Sequence, residues 1–265
     1  MRRDPVFEVR DSGGLWEGRW IAFRWLPSSN QWCVENAAGC RHGDMIWARE
    51  QSAGRGRLGR TWSTPGAGGL TFSVALRAPA LLAIAPNLGQ AAALAVCDAM
   101  QALGADCTLK WPNDVLAPGG KIAGILVESL GEPDSFVVGV GLNVNATALS
   151  FAAAGLSGIA TSLQIETGRP RQRRAVLRRV LRAMQRRFDS LAGDGMPPLL
   201  DAWREADALA GRDIEVTTPD GPVSGRYAGL AEDGALCLAL PDGGERRFWT
   251  GDVVRARPGG PPSRP

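Results

Sequence analysis

Three glycines and three arginines share the run Gly54-Arg55-Gly56-Arg57-Leu58-Gly59-Arg60, which Thr61 and Trp62 close. Glycine lets a backbone approach a ligand and present its N–H groups. Guanidinium forks match the oxygen pairs of carboxylates and phosphates, so the run suits a loop that folds over an anion. Taken alone, the same composition also suits an RGG-like RNA-binding segment or a flexible loop without a ligand.

A second cluster, Lys110-Trp111-Pro112-Asn113-Asp114, is followed seven residues later by Lys121, across a turn containing Pro118, Gly119 and Gly120. A hairpin of this spacing is expected to bring Lys121 back beside the Lys110 strand. Two ammonium groups, an amide and a carboxylate would then converge on one side of a sheet. Such a set would neutralise polyphosphate oxygens, with Asn113 and Asp114 holding a magnesium ion or its waters. A surface ion-pair cluster, with Trp111 and Pro112 as packing residues, is the alternative.

These residues need a framework. Apolar runs bounded by glycine and proline predict strands over Asp44-Glu50, Leu70-Leu76, Cys107-Trp111, Lys121-Ser129 and Phe136-Asn143. Helix formers from Pro86 to Leu103 predict a helix packed on that sheet, in an α+β layer arrangement. From Arg171 to Leu191 the residues Val176, Leu177, Val180, Leu181, Met184, Phe188 and Leu191 form a helical apolar stripe, opposite an arginine-rich face that is either solvated or docks an acidic partner. After Trp203 the segments Asp213-Thr218, Gly221-Leu230, Ala235-Leu240 and Arg246-Thr250, separated by Pro-Asp-Gly turns, predict a small β-barrel. The expected division is a catalytic domain over 1–207, a barrel over 208–257 and a disordered tail over 258–265.

A chain of 265 residues with 45% hydrophobic and 22% charged residues is expected to bury a full core. A net charge of +3 implies no general nucleic-acid surface. Five scattered cysteines without a C-x-x-C pair, and the single histidine His42, make a zinc site or a disulfide framework improbable. With no export signal, and with the run Ala78-Ala85 interrupted by Pro79 and ended by Pro86, the protein is expected to be soluble and cytoplasmic.

Four ordered motifs carry a resemblance. Residues 54–62 resemble the G-R-G-R-x-G-R-x-W loop of biotin protein ligases. Residues 110–128 resemble their K-W-P-N-D block followed by K-x-x-G-I-L-x-E. Ser28-Ser29-Asn30 stands where that family has S-T-N, and Gly139-Val140-Gly141-Leu142-Asn143 where it has G-[IV]-G-[IL]-N. The resemblance continues more loosely to about residue 257, through Thr250-Gly251-Asp252-Val253. It implies a mixed sheet packed by helices with a C-terminal SH3-like barrel. The implied activity activates biotin with ATP as biotinyl-5'-AMP and transfers it to a lysine of a biotin carboxyl carrier domain.

Carried over residue by residue, the resemblance implies that Lys121, assisted by Arg57, neutralises the charge that builds as the biotin carboxylate meets the α-phosphate. It implies biotin contacts from Ser28, Ser29, Asn30, Gln51, Gly54, Arg55, Gly56, Arg57, Lys121 and Gly124. It also implies ATP contacts from Arg55, Arg57, Arg60, Trp62, Lys110, Asn113, Asp114, Lys121 and Asn143, with Trp62 walling the apolar part of biotin as well. Magnesium would lie at Asn113 and Asp114. Residues 54–61 are expected to be mobile without ligand and to close over the adenylate.

Ser29 replaces the family threonine and keeps a hydroxyl, and Arg255 matches a family arginine that reaches the nucleotide. No tryptophan lies between Asn145 and Ser162 to stack on adenine. The 27 residues before Ser28 are too few for the helix-turn-helix domain of family repressors, so a monofunctional ligase without DNA binding is expected. Homodimers are common in that family. A lipoate-type ligase, whose loop usually reads R-x-x-G-G-G, and a catalytically silent biotin-binding module are the competing readings.

Overall fold

The computed structural model describes residues 7–9, 18–79 and 81–258. An eight-stranded sheet is built from β1 (Phe7–Val9), β2 (Trp20–Phe23), β3 (Met45–Ala48), β4 (Gly69–Arg77), β5 (Thr108–Lys110), β6 (Asp114–Ala117), β7 (Gly120–Ser129) and β8 (Ser135–Asn143). Its order is β1-β2-β3-β4-β8-β7-β6-β5, and β2 with β3 is the parallel pair in an otherwise antiparallel sheet.

Among the described residues seven α-helices complete this part: α1 (Ser29–Glu35), α2 (Leu81–Ile84), α3 (Leu88–Gln101), α4 (Ala148–Ala153), α5 (Leu163–Thr167), α6 (Arg173–Asp194) and α7 (Pro197–Glu205). A second sheet of β9 (Arg212–Thr218), β10 (Gly221–Leu230), β11 (Leu236–Ala239), β12 (Glu245–Phe248) and β13 (Asp252–Pro258) is antiparallel, in the order β12-β11-β10-β9-β13.

Strand alternation sorts the core into two. Leu70, Phe72, Val74 and Leu76 of β4, with Val138, Val140 and Leu142 of β8, join α3 and the apolar stripe of α6 in the main interior. That interior runs on through Ile214, Val216, Leu236 and Leu238 of the second sheet. On the opposite face Ile46, Ala48, Ala75 and Val137 enclose Cys33 of α1 in a smaller core. The same face of β7 and β8 carries glycines, and the site lies there. Leu82–Gln101 is apolar and long enough to cross a membrane by length and composition, yet 61% of its most apolar stretch is buried, as befits a core helix.

All five predicted strands and both predicted helices of the first part occur, with ends shifted by a few residues. The hairpin expectation needs correction. Lys121 does not return beside the Lys110 strand, because Asp114–Ala117 forms a strand of its own between β5 and β7. Four residues confined between Pro112 and Pro118 are too few to announce a strand by periodicity. The second sheet gains β13, which pairs with β9. Pro258, assigned to a disordered tail, ends that strand opposite Arg212. Residues 259–265 and the side chain of Arg255 lie outside the described residues.

Candidate active site

Ser28 caps α1, its hydroxyl accepting from the Gln31 N–H at 3.4 Å, and this turn sets Ser29 and Asn30 against the sheet. The Ser29 N–H donates to Gln51 Oε1 at 2.7 Å. The Ser73 hydroxyl of β4 lies 2.7 Å from Ser29 Oγ and donates to Asn30 Oδ1 at 2.6 Å. All three side chains of 28–30 are buried, and with Gln51, Arg55, Gly56, Trp62 and Gly124 they line a cavity of about 390 Å³.

Glycine makes the floor. A Cβ on Gly139 would sit 2.2 Å from Asn30 Oδ1, and one on Gly141 would sit 2.2 Å from the Trp62 indole. Gly124 would bring a Cβ to 3.1 Å from both Trp62 and Lys121 Nζ. Neither Asn30 nor Trp62 could hold its position over a floor with side chains. The Trp62 indole N–H is buried without a partner, a donor that a polar ligand atom would satisfy.

Lys121 reaches this floor by an irregularity. Val115 pairs with Ala123, but Leu116 pairs with Lys121, so Ile122 is an extra residue in β7. Residues three apart on a regular strand point to opposite faces. The bulge sends Ile122 and Ala123 into the core in succession and turns Lys121 to the face of Gly124. Its ammonium group pairs with Asp114 Oδ1 at 2.5 Å and lies 5.5 Å from the centre of the Trp62 ring.

The backbone of Lys121 is fixed on both sides, its N–H donating to Ile159 O at 2.9 Å and its carbonyl accepting from Thr161 N–H at 3.1 Å. Asn143, expected at the nucleotide, is buried with its amide directed at the Lys121 carbonyl at 3.4 Å and its Oδ1 accepting from Thr64 at 3.0 Å. Asn113 likewise spends an N–H on Ile125 O at 2.5 Å.

Gly54 to Thr61 folds as a miniature hairpin. Trp62 N–H donates to Gly54 O at 2.9 Å, and Gly56 N–H to Arg60 O at 2.7 Å. A Cβ on Gly54 would collide with Trp62 O at 2.3 Å. At the tip Leu58 and Gly59 are both left-handed, with φ of 54° and 72°, and Leu58 is 69% exposed. The flap arginines diverge. Arg55 lines the first cavity and pairs with Glu128. Arg57 faces an adjoining cavity of about 620 Å³ with Trp111, Pro112, Asn113, Gly234 and Trp249, and donates to Gly251 O at 3.1 Å. Burial holds the Arg57 guanidinium below its ordinary pKa, with Asp252 and Asp114 acting the other way. Arg60 pairs with Asp252. Ile125 lines both cavities.

Lys110 opposes Asp114 across the tight β5–β6 turn and lines neither cavity. Sequence reasoning gave no role to Ser73, Glu128 or Asp252, although Glu128 ends the K-x-x-G-I-L-x-E motif and Asp252 stands in Thr250-Gly251-Asp252-Val253.

Fold and site together define an enzyme of the biotin/lipoate ligase class. Residues 24–145 match the biotin/lipoate A/B protein ligase family, and residues 210–255 match the biotin protein ligase C terminal domain. The biotin acetyl-CoA-carboxylase ligase of Paracoccus denitrificans is 37% identical over 82% of this chain and 92% of its own. The bifunctional ligase/repressor BirA of Bacillus spizizenii is 30% identical over 89% of this chain and 74% of its own. The biotin protein ligase of Aquifex aeolicus, solved with biotin and ATP, superposes with a TM-score of 0.76 at 26% identity, covering 90% of this chain and 98% of that one. The chain belongs to the biotin protein ligase family.

Proposed function

We propose that this ligase condenses biotin with ATP to biotinyl-5'-AMP and pyrophosphate, then transfers biotin to a lysine of a biotin carboxyl carrier domain. The observation that carries the reading is the bulge that turns Lys121 toward a glycine-floored trough under Trp62. The ureido end of biotin would meet Ser28, Ser29, Asn30 and Gln51, because a buried polar ring needs partners on every edge. Trp62 would wall its apolar part.

The biotin carboxylate attacks the α-phosphate in line and pyrophosphate departs. No protein nucleophile is required, so positioning and charge neutralisation supply the rate. Lys121 would leave Asp114 to meet the two anions, while Arg55 and Arg57 cover them. The amine of the carrier lysine then displaces AMP from the mixed anhydride. A closed flap keeps water from that anhydride in the interval.

Among the described residues no group of three or more acidic, histidine or cysteine side chains forms a metal cage. The carboxylate of Asp114, with Asn113 next to it in the chain, suits a magnesium ion that would arrive on ATP phosphates and keep most of its waters. Such an ion would neutralise phosphate charge. The unpaired thiols of Cys33, Cys40, Cys97, Cys107 and Cys237 support a reducing, cytoplasmic setting.

The test is to incubate the purified chain with ATP, magnesium and either biotin or lipoate, then assay the acyl adenylate and labelling of a carrier domain. Adenylate and label with biotin are expected. Label with lipoate only would overturn the assignment.

A further inference from the structure

Glu128 lines neither cavity, yet its carboxylate touches both a wall of the first cavity and the flap above it. Arg55 Nη2 lies 2.8 and 2.9 Å from its two oxygens. Asn30 Nδ2 donates to Oε2 at 2.8 Å and also lies 3.2 Å from the Leu126 carbonyl. A carboxylate only accepts, so Glu128 decides which end of the Asn30 amide faces it. The amide oxygen is left to Ser73 at 2.6 Å, and the amide occupies the space that a Cβ on Gly139 would take.

We propose that Glu128 is a positioning residue for adenylate formation and retention. It orients Asn30 at the pocket wall and tethers the flap through Arg55 to that same wall, so that filling the pocket and closing the flap are coupled. The inference rests on reading the cavity as the biotin pocket. The two halves of the contact differ in strength. Arg55 and Glu128 side chains are 40% and 28% exposed, and an ion pair of that exposure shifts an equilibrium by about fivefold at most. This suits a flap that must open again. Asn30 is 3% exposed, and without Glu128 its amide nitrogen keeps only the longer bond to the Leu126 carbonyl, a loss that costs roughly tenfold in binding.

Two variants separate these halves. Glu128→Gln keeps an acceptor for Asn30 and loses the charge that holds Arg55. Glu128→Ala loses both. The readouts are limited proteolysis within residues 54–61 of the ligand-free chain, the biotin dissociation constant by calorimetry, and the rate at which biotinyl-adenylate escapes without a carrier. For Glu128→Gln we expect flap cleavage and adenylate escape to rise about threefold to fivefold, with biotin affinity held within about twofold. For Glu128→Ala we expect the same flap effect and biotin binding weakened roughly tenfold or more.

Wild-type cleavage and escape rates in Glu128→Gln overturn the proposal, whatever Glu128→Ala does. So does a Glu128→Ala that binds biotin as tightly as the wild type. If Glu128→Ala does not fold, Glu128→Gln decides alone. A wild-type chain that neither binds biotin nor forms its adenylate would remove the functional reading instead, and the proteolysis comparison would still judge the tether.

Discussion

The floor of the trough and the flap above it are held by different kinds of force. The floor is steric: Gly124, Gly139 and Gly141 leave only the space that Asn30, Trp62 and the Lys121 ammonium group occupy. The flap is electrostatic: Arg55 and Arg60 are half-exposed or exposed and pair with Glu128 and Asp252, while Arg57 donates to a backbone carbonyl. A close-packed interior resists change of even one methylene, whereas exposed ion pairs exchange with solvent at little cost. The part that sets geometry is rigid, and the part that must admit substrate and release product is weakly tied.

Substitutions break this contrast at different depths. Lys121→Ala should lower the rate of adenylate formation by about 10²- to 10³-fold, as loss of a preorganised charge-stabilising donor does, with the thermal midpoint little changed. Single-turnover pyrophosphate release measures it, and a loss under about tenfold would take Lys121 out of the chemistry. Gly141→Ala should come next, because its Cβ can be housed only by displacing Trp62. Overpacking of this kind costs about 1–3 kcal/mol, so calorimetry should show biotin binding weakened by roughly tenfold or more.

On the flap side, Asp252→Asn frees Arg60 and should raise protease cleavage of residues 54–61 by no more than about fivefold. A change as large as that from Gly141→Ala would mean that the flap is as rigid as the floor. Smallest of all, Leu58→Gly relieves a left-handed leucine at the tip and should move stability by no more than about 1 kcal/mol, in the favourable direction. Thermal denaturation would detect it.

Much of this was legible beforehand. Long, strongly patterned elements such as α3, α6, β4, β7 and β8 declare themselves through periodicity. The motif residues Ser29, Asn30, Gln51, Arg55, Gly56, Trp62 and Gly124 indeed gather at one cavity. β2, β6 and α1, of four, four and seven residues, did not show, whereas the equally short β3 and β5 were found as parts of the longer runs Asp44-Glu50 and Cys107-Trp111. Ser28 had two uses, and its capping of α1 was hidden behind its place in a ligand motif. Asn143 and Asn113 stand in ligand motifs, and their second use, each amide donating to a backbone carbonyl, has no signal in the sequence. Arg57 parted from Arg55 because Arg55 is still paired across the hairpin whereas Arg57 begins its 3-10 turn, and the acidic anchors of Arg55 and Arg60 lie 73 and 192 residues away along the chain.

The extra residue in β7 gives the K-x-x-G spacing a meaning that composition does not carry. Lys121 and Gly124 can share a face only if one of the two intervening positions is not counted in the pleat. Shortening the chain by Ile122 would keep every polar group of the motif and restore an unbroken ladder. By the same parity, Lys121 and Gly124 would then be two apart and would still face together. Inserting one residue instead would drive the ammonium group into the apolar interior. The length of this one strand is therefore as much a part of the enzyme's specification as the identity of its lysine.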